Sequence, residues 1–207
     1  LKKTIPELIS DSGAIPGIKV DIGAKKQAQI NNETITEGLD GLTERLKKYY
    51  DLGARFAKWR GVFKISIKNN LPSSESIKSN AHALGRYSAL VQEANMVPIV
   101  EPEVLMEGNH DIKTCYQVTK IVLQETFNQL SNNNINIKGI ILKPNMILNG
   151  AESDIKNETV RQEIEEYIQR EDERAEIVSL YSKTSPLMQE IAAGIISGKN
   201  KLVDELT

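Results

Sequence analysis

Four short apolar runs recur along the chain at nearly constant spacing. They occupy residues 17–21, 56–60, 97–103 and 139–143. Steps of 39, 43 and 42 residues separate their first charged members, which are Lys19, Lys58, Glu101 and Lys143. One strand, one helix and two loops together fill about 40 residues. The spacing therefore predicts repeated βα units, and hence an α/β fold with a parallel sheet.

The segments between these runs have helical periodicity. Helices are predicted over residues 39–50, 73–94 and 111–130, with Gly53 as the C-terminal cap of the first. The Ser-Asn-Asn-Asn stretch at 131–134 predicts a turn. The predicted inward-facing positions of the second and third helices are Ile77, Leu84, Leu90, Val118, Val122 and Phe127.

Charged residues alternate with apolar ones near the end of each run. Period-two alternation places the alternate side chains on one face of a strand. In a (β/α) barrel the carboxyl ends of the strands form the active site. For any single strand, the alternative is a solvated strand end. Because the charged pattern repeats in four strands, one functional site shared by the four strand ends is favoured. The residues expected there are Lys19, Asp21, Lys58, Arg60, Glu101, Glu103 and Lys143.

Lys143 is the candidate nucleophile. It closes the run Gly-Ile-Ile-Leu-Lys, and Pro144 follows it directly. Apolar walls and neighbouring cations favour the neutral form of an amine, which is the form that attacks a carbonyl. The alternative is a lysine that extends from a strand end into solvent.

Composition and charge exclude several classes of protein. The 207 residues are 40% hydrophobic and 26% charged, which is typical of one or two soluble domains. A net charge of -2 gives no basic surface for nucleic acid. No run is long enough to span a membrane, and the first residues do not form a signal peptide. The predicted location is therefore cytoplasmic.

The few cysteine and histidine residues indicate neither a disulfide nor a metal site. Cys115 is the one cysteine and falls within a helical pattern, which predicts a buried structural thiol. His82 and His110 do not form a ligand cluster. Both are interpreted as ordinary helix or loop residues.

Five motifs together resemble class I fructose-bisphosphate aldolase over residues 1 to about 150. They are Gly-Ile-Lys-Val-Asp (17–21), Thr-Glu-Gly-Leu-Asp-Gly-Leu (36–42), Phe-Ala-Lys-Trp-Arg (56–60), Val-Pro-Ile-Val-Glu-Pro-Glu (97–103) and Leu-Lys-Pro-Asn-Met (142–146). The resemblance implies part of a (β/α)8 TIM barrel, with about four βα units that correspond to its third to sixth strands. It also implies a reaction, which is reversible cleavage of fructose 1,6-bisphosphate to dihydroxyacetone phosphate and glyceraldehyde 3-phosphate.

The resemblance assigns the catalytic roles. Lys143 matches the lysine that forms a Schiff base with the keto carbon of the substrate, and the protonated imine then acts as an electron sink. Glu101 matches the acid/base residue, and Glu103 on the same face is expected to share or orient its proton. Lys58 matches the lysine beside the imine, where its charge stabilises developing oxyanions.

The resemblance also assigns substrate binding. Lys19 and Arg60 match the basic residues that hold phosphate and hydroxyl oxygens of a phosphorylated sugar. Asp21 is the expected orienter of Lys19. The resemblance implies no cofactor and no metal, because the imine does the work of a Lewis acid.

Parts of the family pattern have no counterpart in the 207 residues. These parts are a first-strand aspartate that takes a proton during cleavage, a Gly-Gly phosphate-binding turn and a tyrosine beyond Tyr181. The chain also begins with Leu1, which suggests missing upstream sequence. The 207-residue polypeptide is therefore expected not to turn over fructose 1,6-bisphosphate at an enzyme-like rate. A parallel sheet with open edges is expected to associate, which predicts a homo-oligomer.

The sequence predicts two segments, an aldolase-like barrel segment over residues 1–155 and a helical tail over residues 156–207. The tail combines an acid-rich amphipathic pattern with a second helix that starts near Pro186. It is interpreted as an appendage that covers an apolar face, or as unrelated sequence joined near residue 155. The alternative function is a non-catalytic truncated aldolase remnant whose tail mediates protein contacts.

Overall fold

The computed structural model describes residues 3–30 and 32–154. Helices and strands alternate through most of this part of the chain. In order they are α1 (Ile5–Asp11), β1 (Gly17–Lys19), β2 (Ala24–Lys26), β3 (Thr34–Thr36), α2 (Leu42–Asp51), β4 (Phe56–Phe63), α3 (Ser74–Glu93), β5 (Val97–Val104), α4 (Ile112–Asn132) and β6 (Ile141–Leu142). Short 3-10 turns occupy Ile67–Asn69 and Ile137–Gly139.

Four of the strands form one parallel sheet in the order β1-β4-β5-β6. The strands follow chain order across the sheet, and a helix lies between β1 and β4, β4 and β5, and β5 and β6. This arrangement confirms the α/β fold, with four parallel strands and three connecting helices in the described residues. The predicted tail at 156–207 lies outside the described residues.

One face of the sheet is buried beneath the helices. Trp59 of β4 and Val100 of β5 are fully buried on this face. Tyr87 of α3 packs its ring against Trp59 at a centroid distance of 5.4 Å. The Tyr87 hydroxyl contacts the backbone carbonyls of Ala57 at 2.6 Å and Ile99 at 3.2 Å. A single side chain thus fixes α3 across two neighbouring strands.

The two long helices begin where the sequence predicts. The side chain of Ser73 accepts a hydrogen bond from the Ser76 amide and caps α3, and Asp111 caps α4 in the same way through Thr114. Helix α4 continues to Asn132, so the turn predicted at 131–134 starts later than expected.

The predicted inward faces of these helices are largely confirmed. Ile77, Leu84, Val122 and Phe127 are buried, whereas Leu90 and Val118 are half-buried. Cys115 is buried, as predicted. It joins a core cluster whose other buried members are Phe63, Ile65, Ile77, Val104 and Val122.

The strand ends differ from the prediction. β4 and β5 pair in register up to Phe63 and Val104, beyond the predicted ends of these runs. Lys58 and Glu101 therefore lie within their strands rather than at the carboxyl ends. Gly139 belongs to a 3-10 turn, so β6 starts at Ile141.

A short antiparallel hairpin, β2–β3, was not predicted. Asn80 of α3 holds it, because its side-chain oxygen accepts from the Thr36 amide at 3.2 Å and its nitrogen donates to the Thr34 carbonyl at 2.8 Å. The Thr36 hydroxyl also donates to the Arg60 carbonyl at 2.7 Å. Polar contacts therefore dock the hairpin onto β4 and α3, and hydrophobic periodicity does not reveal such contacts.

Candidate active site

The face of the sheet opposite the helices carries the charged residues. In the register of the strands, Lys19 lies beside Lys58 and Arg60 lies beside Glu101. Residues paired in a parallel sheet point to the same side, and alternate residues of one strand share that side. Glu103, two residues after Glu101, therefore also belongs to this face.

Glu101 is the centre of the charged cluster on this face. Its residue surface is only 4% exposed, although its strand neighbours carry charge. The Lys58 Nζ donates to one carboxylate oxygen at 2.6 Å, and the Lys143 Nζ donates to the other. Both oxygens of a buried carboxylate are thus occupied by lysine amines from the strands on either side.

The two lysines differ in exposure. The side chain of Lys58 is 28% exposed, whereas that of Lys143 is 62% exposed. Lys143 directly follows β6 and its amide donates to the Val100 carbonyl at 2.9 Å. The amine of Lys143 is therefore both bound to a buried carboxylate and open to a molecule that approaches the face.

Opposing effects act on the pKa of Glu101. Burial raises the pKa, because a carboxylate loses hydration, but the hydrogen bonds from Lys143 and Lys58 and the charges of these lysines lower it. The net result is a pKa below the ordinary value of 4.5. Glu101 is therefore an ionised carboxylate near neutral pH, held in that form by the two lysines that donate to it.

Glu101 makes stability depend on pH in a defined direction. A carboxyl group with a depressed pKa in the folded state stabilises the fold above its ordinary pKa, and this contribution is lost as pH falls through the folded-state pKa. We expect the free energy of unfolding of the Glu101→Gln variant to approach that of the wild type as pH falls from neutral to below 4.5. Urea unfolding of both proteins across this range measures the difference, and a difference that does not change with pH contradicts the expectation.

Lys19 and Asp21 form a separate pair. The Lys19 Nζ lies 2.6 Å from Asp21 Oδ1 and also donates to the Asp21 carbonyl at 2.9 Å. The Asp21 carboxylate is buried and accepts from the Gly23 amide at 3.1 Å. Although Lys19 is beside Lys58 in register, its amine is directed to Asp21.

Arg60 and Glu103 form a second pair on the same face. The Arg60 Nη1 lies 2.9 Å from Glu103 Oε2, and the two side chains are 47% and 31% exposed. The structure thus brings the seven predicted residues together as one triad, Lys58–Glu101–Lys143, and two flanking ion pairs.

Sequence reasoning missed two residues that support the site. Arg45 of α2 donates to the carbonyl of Val20, which lies between Lys19 and Asp21, and to the carbonyl of Gly38. The side-chain oxygen of Asn145, two residues after Lys143, accepts from the Val104 amide at 3.1 Å. Asn145 falls within the Leu-Lys-Pro-Asn-Met motif, but no role was assigned to it.

The histidines do not belong to the charged cluster. His82 lies on α3, with its Nδ1 3.2 Å from Gln129 Oε1. His110 is buried in the loop before α4, and burial lowers its pKa. Within residues 3–30 and 32–154 there is no group of three or more His, Cys, Asp or Glu placed to hold a metal ion. No helix in the described ranges is long and apolar enough to cross a membrane.

Comparison with known proteins gives one consistent family. The sequence model of fructose-bisphosphate aldolase class-I matches residues 2–171, which extends past the boundary near residue 150 that the motifs indicate. A probable fructose-bisphosphate aldolase class 1 of Xanthomonas campestris is 54% identical over 142 residues, covering 69% of this chain and 42% of that protein. A cytosolic fructose-bisphosphate aldolase of Arabidopsis thaliana is 50% identical over 147 residues, covering 71% of this chain and 40% of that protein.

A solved structure agrees with these relatives. It is the fructose-bisphosphate aldolase of Plasmodium falciparum in a ternary complex with TRAP and a small-molecule inhibitor. It superposes with a TM-score of 0.74 at 39% identity, covering 88% of this chain and 50% of that one. The present chain spans less than half the length of the two curated relatives. The family match covers most of the chain, and the chain belongs to the class I fructose-bisphosphate aldolases.

Proposed function

We propose that this chain carries the Schiff-base machinery of a fructose-bisphosphate aldolase. The reaction is the reversible cleavage of fructose 1,6-bisphosphate to dihydroxyacetone phosphate and glyceraldehyde 3-phosphate in glycolysis. One observation supports it most: a buried carboxylate, Glu101, binds the amines of Lys58 and Lys143, and Lys143 is also open to solvent. An imine-forming enzyme needs this combination of an accessible amine and a positioned proton carrier.

Lys143 is the nucleophile in this proposal. Glu101 first takes a proton from the Lys143 ammonium, and the neutral amine adds to the substrate ketone to give a carbinolamine. Glu101 then returns that proton to the leaving hydroxyl. Water leaves and a protonated imine forms. Lys58 stays on the other oxygen of Glu101, where its charge stabilises the oxyanion that develops on the carbonyl oxygen.

The protonated imine then drives carbon–carbon cleavage. The C4 hydroxyl of the substrate gives up its proton, the C3–C4 bond breaks and the aldehyde product leaves. The bond electrons enter the imine and form an enamine, which takes a proton at C3, and water then hydrolyses the imine to release dihydroxyacetone phosphate. The resemblance assigns the base for the C4 proton to an aspartate that has no counterpart in these 207 residues.

Lys19 and Arg60 bind the substrate phosphate and hydroxyl oxygens in this proposal. Each of the two side chains is about half exposed. Lys19 is paired with the carboxylate of Asp21, and Arg60 is paired with that of Glu103. A phosphate group would compete with these carboxylates for the cations, and the forked guanidinium of Arg60 suits two phosphate oxygens. Glu103 released from Arg60 can then share or orient the proton of Glu101.

The setting of the reaction is also part of the proposal. We infer a cytoplasmic location, in line with the relative from Arabidopsis thaliana that is named cytosolic. We also infer a homo-oligomer, because an open parallel sheet leaves edge strands to be covered. The other candidate is a non-catalytic remnant that acts through contacts of its tail, residues 156–207, and the charged cluster does not favour it.

Borohydride reduction separates the two candidates. The 207-residue polypeptide is incubated with dihydroxyacetone phosphate, reduced with borohydride and weighed by intact-mass spectrometry. The aldolase proposal predicts one covalent adduct per chain, whereas the remnant predicts none. A coupled assay with fructose 1,6-bisphosphate, run in parallel, measures how much of the full cleavage this polypeptide supports.

A further inference from the structure

The side chain of Asn145 takes the place of a backbone hydrogen bond between β5 and β6. The ladder between these strands reaches Lys143, whose amide donates to the Val100 carbonyl at 2.9 Å. If the parallel register continued, the Val104 amide would donate to the backbone carbonyl of Asn145. The structure instead shows Val104 donating to the side-chain oxygen of Asn145 at 3.1 Å.

Pro102 explains why the ladder needs this substitute. In a continued register the amide of residue 102 would donate to the Lys143 carbonyl, but proline has no amide hydrogen. The strand β6 is only two residues long and lies at one end of the described sheet. The chain beyond Lys143 thus depends on a side chain for its attachment to β5.

The other end of the Asn145 amide reaches α4. Its nitrogen donates to the Thr119 hydroxyl at 3.1 Å, and Thr119 is 4% exposed. The same nitrogen also donates to the Met146 carbonyl at 2.9 Å. One amide group therefore ties the segment after β6 to both β5 and α4.

Lys143 lies at the first of the two attachments of this segment to β5. Its own amide is fixed on β5 two residues before Asn145 is fixed on β5 and α4. Its side chain is 62% exposed, and its amine is held at the far end by the Glu101 carboxylate. The approach of the amine to Glu101 also depends on where the backbone of Lys143 lies, and these two anchors hold that backbone.

We propose that Asn145, oriented by Thr119, is a positioning residue that holds Lys143 against Glu101 for imine formation. The proposal rests on the proposed Schiff-base function. Asn145 acts through Lys143 and the backbone, since its amide group is occupied by Val104, Thr119 and Met146. Loss of the anchor lets the amine move away from the carboxylate, and a misplacement of about 1 Å costs roughly 100-fold in rate.

The test uses the full 207-residue chain with Asn145→Ala, dihydroxyacetone phosphate and borohydride. We expect the maximal rate of adduct formation to fall by about 10- to 100-fold, while the half-saturating concentration changes less than about threefold because Lys19 and Arg60 are untouched. A merely structural role does not produce this split, because partial unfolding lowers the yield and leaves the rate of the folded fraction unchanged. Thermal unfolding establishes that each variant is folded at the assay temperature.

Matched variants isolate the contact with Thr119. Thr119→Val has nearly the same shape and removes the hydroxyl, so it lowers the maximal rate, whereas Thr119→Ser keeps the hydroxyl and restores it. Asn136→Ala is the matched control. It removes a side-chain hydrogen bond of the same length, accepted from the Lys138 amide at 3.1 Å, in the turn that precedes β6. We expect it to leave the rate unchanged.

Hydrogen exchange gives a measurement that does not depend on the reaction. The Val104 amide exchanges faster in Asn145→Ala than in the wild type if the side-chain bond exists. Wild-type and Asn145→Ala proteins that form adduct at equal rates overturn the proposal, and so does unchanged exchange at Val104. If the wild type forms no adduct, the proposed Schiff-base function is wrong, and the role of Asn145 that rests on it is wrong as well.

Discussion

Replacement of Lys143 by methionine abolishes the covalent adduct with dihydroxyacetone phosphate. Methionine retains an unbranched chain of similar length but has no amine to attack a carbonyl. Glu101 keeps its second partner, Lys58, at 2.6 Å, so the buried carboxylate does not lose all of its charge compensation. The Lys143 side chain is largely exposed, and the variant is therefore expected to fold. Intact-mass spectrometry after borohydride reduction measures the effect.

A second lysine variant controls for the loss of a surface cation. Lys138 is exposed in the 3-10 turn before β6, and Lys138→Met is expected to form adduct at the wild-type rate. Adduct that persists in Lys143→Met at the wild-type rate would place the imine on another amine. The Glu101–Lys143 contact would then have no role in imine formation.

Replacement of Glu101 by glutamine slows imine formation by about a hundred- to ten-thousand-fold, the usual loss for a positioned acid/base group. Glutamine preserves shape but cannot carry a proton between the Lys143 ammonium and the leaving hydroxyl of the carbinolamine. It also leaves the amines of Lys58 and Lys143 without an anion between them. The rate of borohydride-trapped adduct gives the measurement, at a substrate concentration that saturates the wild type.

Glu103→Gln is the matched control for this prediction. Glu103 lies on the same face but pairs with Arg60, and its side chain is 31% exposed. We expect a smaller loss, because Glu103 assists Glu101 and does not contact Lys143. If the rate of Glu101→Gln is within about threefold of the wild-type rate, the loss is far below that of a usual acid/base group. This result contradicts the role assigned to Glu101.

Periodicity predicts the parts of the fold that depend on hydrophobic burial. The N-caps of α3 and α4 are Ser73 and Asp111, where the predicted helices begin, because a capping side chain and an apolar stripe are both visible in the sequence. The four parallel strands follow from the spacing of the apolar runs. Their ends do not, because β4 and β5 continue as far as their mutual hydrogen bonds, to Phe63 and Val104.

The charged face is predictable as a set but not as a pattern of contacts. Alternation places Lys58 and Glu101 on one side of the sheet, and their ion pair follows from neighbouring strands. Arg60 lies beside Glu101 in register, yet its guanidinium pairs with Glu103, two residues further along β5. Such a local choice depends on side-chain geometry, which a sequence pattern does not encode.

The hairpin β2–β3 and the Asn145 anchor were missed for a related reason. Asn80 docks the hairpin and Asn145 replaces a ladder bond, and both act through side-chain amides that bind the backbone. An asparagine in a sequence indicates a turn or a cap more readily than a link between distant elements. Supports of this kind become visible only when the strands on either side are in place.

The position of the adduct in the chain decides whether Lys143 forms the imine. The wild-type chain is incubated with dihydroxyacetone phosphate, reduced with borohydride, digested and sequenced by tandem mass spectrometry. The account predicts a single modified peptide, which contains Lys143. Modification of Lys19 or Lys58 in place of Lys143 would contradict it.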